Sequence, residues 1–247
     1  MSGEPAGNDK RRQFAPFSSL KKVMIQPQLT WPAAPRQIRV NTGEVHLWKA
    51  NLDSSAMVEQ CRVVLSPDEL VRAARFHFKE DAQQFIAARG AVRMILSRYL
   101  CEDPENLVFR VGNHGKPFVV HPFMDIRFNV SHSRDLAIIA VSRGREVGVD
   151  VEWIQHDMMF EPIAEHYFEP HENWDLRTAP KSERVSRFFD LWTQKEARLK
   201  AEGVGLVASP ARESSWSVRR LSPAAGYAGA IACEGEDWDL AYWEWSL

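Results

Sequence analysis

The sequence predicts an α+β protein of two packed halves, residues 44–145 and 146–247, behind a flexible or extended leader over 1–43. Three observations predict it. The order strand, helices, strands is run twice along the 247 residues. No segment approaches the roughly 18 consecutive apolar residues of a membrane span. At 45% hydrophobic and 26% charged residues, the chain can build and solubilise a sizeable core.

The leader holds Pro5, Pro16, Pro27, Pro32 and Pro35 and shows no sustained period. Order is expected from residue 44, where EVHLWKANL alternates Val45, Leu47 and Ala50 with their neighbours as a strand does. In SPDELVRAARFHF, Ser66 stands as N-cap, Pro67 at the first helical position and Glu69 at the third, which starts a helix. A second helix is predicted from Asp81 to Tyr99. Strands follow over 107–111, 126–131, 136–142 and 146–152, separated by the turn sequences GNHGKP, SRD and RGR. EPIAEHYF reads as a short helix and HENWDLRTAPKSE as a loop. A strong helix runs from Glu183 to Ala201 and stops at Gly203. The tail segments SSWSVRRL, AGAIACEG and WDLAYWEW read as antiparallel strands.

Charge and cysteine usage narrow the function classes. Residues 1–43 carry seven Lys/Arg against two Asp/Glu although the whole chain is at −2, so everything beyond the leader is acidic. That is a poor surface for general nucleic-acid binding, and any phosphate ligand needs a local basic cluster. Three cysteines without CxxC spacing read as reduced thiols, and the N-terminus lacks the apolar run of a secretory signal. The expectation is a cytoplasmic monomer with neither a membrane nor a nucleic-acid partner. No GxSxG, P-loop or GxGxxG is present.

Chemistry-bearing residues fall in four places. In GVDVE (Gly148–Glu152), Asp150 and Glu152 are two apart on a strand and face the same way, about 7 Å apart. Paired carboxylates repel unless a cation lies between them, and oxygen-only ligands favour Mg²⁺. The plainer alternative is a solvated strand face. In FFDLWTQKEARLK (Phe188–Lys200), at about 100° per residue, Glu196 falls inside the apolar arc between Trp192 and Phe189, with Lys195 and Lys200 at its edges. A carboxylate there needs compensation, and a cation shared with Asp150 and Glu152 would supply it. The alternative is a surface Glu196–Lys200 pair. Arg89 interrupts the core stripe of Phe85, Val92, Leu96 and Tyr99. With Arg93, Arg72, Arg75 and Lys79 it forms either a phosphate cradle or a set of arginines tied to acidic neighbours. Finally, NVSHS (Asn129–Ser133) and GKP (Gly115–Pro117) put Ser131, His132 and Lys116 at a strand end and a glycine turn.

GKP, NVSHS, VGVDVE and WTQKEARLK, in this order and spacing, resemble the Sfp-type 4′-phosphopantetheinyl transferases in their long, two-half form. The resemblance covers about 45–245 and includes LSPDELVRAARFHFKEDAQQF and ARGAVRMIL. It implies two pseudo-symmetric α/β halves, each an antiparallel sheet packed with helices, with the active site in the cleft between them. It implies transfer of the 4′-phosphopantetheine arm of coenzyme A to a serine of an apo acyl, peptidyl or aryl carrier protein, releasing adenosine 3′,5′-bisphosphate. The N-terminal half would bind the phosphates of coenzyme A, the C-terminal half the metal and the carrier. By resemblance Asp150, Glu152 and Glu196 would hold Mg²⁺. Ser131 and His132 would contact phosphate, His132 on the 3′ side. Lys116, Arg72, Arg89 and Lys200 would bind the remaining phosphate charge, and Lys195 would stabilise the leaving phosphate. Glu196, or a metal-bound water that it orients, would take the serine proton. Gln84 departs from the basic residue that relatives often carry there. Carrier specificity is expected near 153–185. The competing classes are another Mg²⁺-dependent phosphate-handling enzyme, such as a nucleotide hydrolase, and a non-catalytic carrier-binding scaffold.

Overall fold

The computed structural model describes residues 29–35, 37–112, 114–204 and 215–246. Its centre is a four-stranded sheet of β4 (Ile126–Ser133), β5 (Leu136–Arg143), β1 (Glu44–Asn51) and β9 (Asp239–Trp245), in that order. β5 pairs antiparallel with both neighbours, while β9 runs parallel to β1. A second sheet orders β6 (Val147–Trp153), β8 (Tyr227–Glu234) and β7 (Trp216–Leu221), all antiparallel. A small hairpin joins β2 (Val108–Val111) to β3 (Pro117–Val120).

The sequence pattern explains the layering. β1 and β5 are apolar on both faces, as strands buried from both sides must be. Trp48, Ala50, Ala137, Ile139 and Val141 pack against Ile86, Val92, Ile95 and Leu96 of α3 (Lys79–Leu100). Val45, Leu47, Leu136, Ile138 and Ala140 pack against Val147, Val149 and Val151 of β6 and Ile231 of β8. The other face of the second sheet carries α6 (Arg184–Glu202), where Ala197 and Ala201 meet Ala230 and Ala232. The order is therefore helix, sheet, sheet, helix, the mixed α+β architecture expected.

Several expectations hold. α2 (Pro67–Ala73) begins with the complete Ser66/Glu69 capping box and Pro67 at its start. α6 ends at Gly203, whose φ of 69° is left-handed.

Others need correction. Order starts before residue 44: Trp31, Ile38 and Val40 are buried, and Trp31 meets the Tyr242 ring edge-on. The first part of the expected leader, 1–28, lies outside the described residues. The last tail strand does not stay with its neighbours but crosses to complete the first half's sheet, so the division at 145/146 is breached by β9. HENWDLRTAPKSE is not a loop: α5 (Pro170–Thr178) occupies most of it. Pro170 starts this helix at a position where its missing N–H costs nothing, and Glu172 closes a capping box by accepting the Glu169 amide at 2.7 Å. α4 (Glu161–Tyr167) precedes it as expected, and α1 (Ser55–Arg62), capped by Ser54, is an element the apolar period did not announce.

Candidate active site

The site forms where β4, β6 and α6 meet, and small residues decide the approach. On β6 the valines face the inter-sheet core, so Gly148, Asp150 and Glu152 face α6. A β-carbon on Gly148 would stand 2.2 Å from both the Ala197 carbonyl oxygen and the Ala201 amide nitrogen. Only glycine lets the helix backbone lie this close, and the contact brings Glu196 and Lys200 beside Asp150.

β4 reaches β6 through alternate side chains of NVSHS. Asn129 Oδ1 accepts the Val149 amide at 2.9 Å. Ser131 Oγ donates to Asp150 Oδ1 at 2.8 Å. Ser133 Oγ donates to Glu152 Oε2 at 2.9 Å and accepts the Trp153 amide at 3.1 Å. The motif is thus a polar seam that joins the two halves and fixes both carboxylates of GVDVE. Asn129 and Ser133 lay within a motif that drew attention to Ser131 and His132; their period-2 spacing was the available signal.

Asp150 is 2% exposed. Lys200 Nζ donates to its Oδ1 at 2.6 Å and to Ser131 Oγ at 3.0 Å. Asp150 Oδ2 and Glu196 Oε1 are buried with no hydrogen-bond partner among the described residues. Desolvation, and then the charge of Asp150, raise the pKa of both Glu152 and Glu196. Lys200 pulls in the opposite direction on both, but does not prevail. The pocket thus sets three carboxyl groups against the one ammonium of Lys200. An all-carboxylate donor set with orphaned buried oxygens fits a hard divalent cation. As they stand, no three His, Cys, Asp or Glu side chains among the described residues are gathered into a formed metal site; Asp150 Oδ1 is engaged by Lys200 instead.

The basic residues separate into two groups. Arg89 pairs with Glu69 and lies 4.1 Å from the Phe109 ring centroid. Arg93, 2% exposed, binds Glu69 Oε2 at 2.7 Å and the carbonyls of Pro104 and Leu107 at 2.7 and 3.0 Å. These two tie α3 to α2 and to the approach to β2. Arg72 is exposed, over the Phe85 ring. Lys116 Nζ donates to Glu146 Oε2 at 2.6 Å and to the Ala201 carbonyl at 2.9 Å, and burial lowers its pKa. It lines a groove of about 360 Å³ with Pro117, Phe118, Arg127 and Gly203. His132 is held below its ordinary pKa by desolvation and by Lys200. Lys195 pairs with Glu172 of α5 at 3.0 Å.

Comparison with known proteins bears directly on this arrangement. Residues 48–144 match the family described as 4′-phosphopantetheinyl transferase, N-terminal, and residues 146–245 match the 4′-phosphopantetheinyl transferase superfamily. The chain is 34% identical over 235 residues to the 4′-phosphopantetheinyl transferase HetI of Nostoc sp. PCC 7120, covering 88% of this chain and 99% of HetI. The chain belongs to the 4′-phosphopantetheinyl transferase superfamily. It is also 32% identical over 142 residues to Sfp of Bacillus subtilis strain 168, covering 58% of this chain and 62% of Sfp. With gsp of Aneurinibacillus migulanus it shares 37% over 127 residues, 51% of each chain. The junction between the two family matches falls in the β5–β6 turn. Among the described residues, no helix of this transferase is long and apolar enough to cross a membrane.

Proposed function

We propose that this transferase moves the 4′-phosphopantetheine arm of coenzyme A onto a serine of an apo carrier protein, at a Mg²⁺ site formed by Asp150, Glu152 and Glu196. The observation that carries the metal assignment is the pair of orphaned oxygens, Asp150 Oδ2 and Glu196 Oε1, in a pocket where burial and then the charge of Asp150 raise the pKa of Glu152 and Glu196. Bound there, Mg²⁺ would neutralise the pyrophosphate of coenzyme A.

The chain's own groups supply the rest. Ser131 and Ser133 hold Asp150 and Glu152 on one side of the cleft. In this reading Lys200, once released from Asp150, meets phosphate oxygens together with Ser131, His132 and Arg72, and Lys116 and Arg89 take up the remaining phosphate charge. Lys116 must exchange Glu146 for phosphate, Arg89 must exchange Glu69, and Lys195 must exchange Glu172 to reach the leaving phosphate. Glu196, or a water it orients, accepts the proton of the carrier serine as its oxygen attacks the β-phosphorus and adenosine 3′,5′-bisphosphate leaves. The folded 153–185 segment exposes Met159 and Trp174, which offer the carrier an apolar contact.

The test is direct. Purified protein is incubated with coenzyme A and an apo carrier, with Mg²⁺ or with chelator, and the carrier is weighed. A gain of one phosphopantetheinyl mass that depends on Mg²⁺ is expected. Hydrolysis of coenzyme A with no gain on any of a panel of carriers would replace this reading with that of a hydrolase.

A further inference from the structure

Lys200 sits on a carboxylate that the metal of the proposed reading would need. Its ammonium donates to Asp150 Oδ1 at 2.6 Å and to Ser131 Oγ at 3.0 Å, and Ser131 in turn donates to the same carboxylate oxygen at 2.8 Å. These three groups close a triangle. It compensates one oxygen of an almost fully buried carboxylate and leaves the other, Asp150 Oδ2, with no partner among the described residues. The side chain is anchored on α6, four residues beyond Glu196, and is 30% exposed. It has an exit to solvent and a flexible four-carbon stem.

Resting on that reading, we propose that Lys200 is the internal counter-ion of the metal site, holding Asp150 until a divalent ion displaces it and thereby delivering its ammonium to the donor's phosphates. The reason is charge and space. One ammonium faces three carboxylates and cannot satisfy them. A divalent ion offsets two of the three charges, but ion and ammonium repel at this range, so the arriving ion loosens the ammonium's hold on the carboxylate. Lys200 therefore competes with the metal when no donor is present. Once the donor is bound, the released ammonium has an anionic partner, so metal and donor strengthen each other's binding.

The test is a calorimetric titration of Mg²⁺ into the full chain without coenzyme A, comparing unaltered protein, Lys200→Met and Lys200→Arg. Lys200→Met is expected to bind Mg²⁺ more tightly, within the roughly 5–150-fold that couplings between ligands commonly reach. Lys200→Arg keeps the charge and is expected to bind no more tightly than the unaltered protein. A second measurement needs no variant: acylation of Lys200, followed by mass spectrometry, should rise when Mg²⁺ is added, and it decides the matter if Lys200→Met does not fold. Equal or weaker Mg²⁺ binding by folded Lys200→Met, or labelling that stays level or falls, overturns the counter-ion role alone. Failure of the unaltered protein to take up Mg²⁺ with or without coenzyme A overturns the metal reading beneath it.

Discussion

Gly148 of β6 and Ala197 of α6 stand so close that a β-carbon on the glycine would lie 2.2 Å from the alanine carbonyl oxygen. The atoms in the way are helix backbone, which cannot turn aside as a side chain can. Gly148→Ala is therefore expected to cost about 1–3 kcal/mol or more, the usual range for overpacking. It also pushes α6, and with it Glu196 and Lys200, away from Asp150. Urea unfolding should show the lost stability, and carrier loading should fall further than the unfolded fraction explains.

Glu196 opposes stability in the metal-free protein. Burial and the neighbouring Asp150 raise its pKa above the ordinary 4.5. A carboxyl whose folded pKa is raised gives stability that is fully present below the unfolded value and is lost as pH rises through the folded value. Glu196→Gln removes that loss. Thermal melts in chelator should therefore show the variant level with the unaltered protein at acid pH and melting higher as pH rises toward neutrality. The same substitution is expected to abolish carrier loading.

Asp150→Asn separates folding from metal binding. The amide oxygen still accepts from Ser131, while the charge is gone. In chelator, the variant should remain folded and cooperative. Saturating Mg²⁺ stabilises a protein that binds it by about 2.7 kcal/mol at a hundredfold excess over Kd. The unaltered protein should show this rise in Tm and Asp150→Asn should not.

Two arginines that look alike in the sequence should behave differently. Arg93→Met removes the partner of Glu69 and of two carbonyls at a buried position, a loss expected to cost about 3–5 kcal/mol. Arg72→Ala, at an exposed position, should leave unfolding unchanged and raise KM for coenzyme A. Equilibrium denaturation and steady-state kinetics on the same pair distinguish a fold-holding role from a ligand-binding one.

Local chemistry was legible wherever it was carried by neighbours in sequence. Ser66, Pro67 and Glu69 announced the start of α2, Gly203 announced the end of α6, and the period of two in GVDVE placed Asp150 and Glu152 on one face. Long-range partners were not legible. Nothing local says that β9 leaves its half to run parallel with β1, because strand pairing is decided by which edge is free. Arg89 correctly stood out as a charge within a core stripe, but its partner Glu69 lies a helix away. The helix that Pro170 starts was not legible, because a proline that ends one helix and one that starts the next look the same without the cap beside it. The need for glycine at 148 has no local signal, since it comes from a helix that arrives some fifty residues later.

The most direct measurement is an anomalous difference map from crystals of the protein grown with coenzyme A and Mn²⁺ in place of Mg²⁺. One peak is expected at coordination distance from the carboxylates of Asp150, Glu152 and Glu196, with the Lys200 ammonium no longer on Asp150. A map with no peak among these three residues, or with the ion held elsewhere while Lys200 keeps its place, would contradict the account.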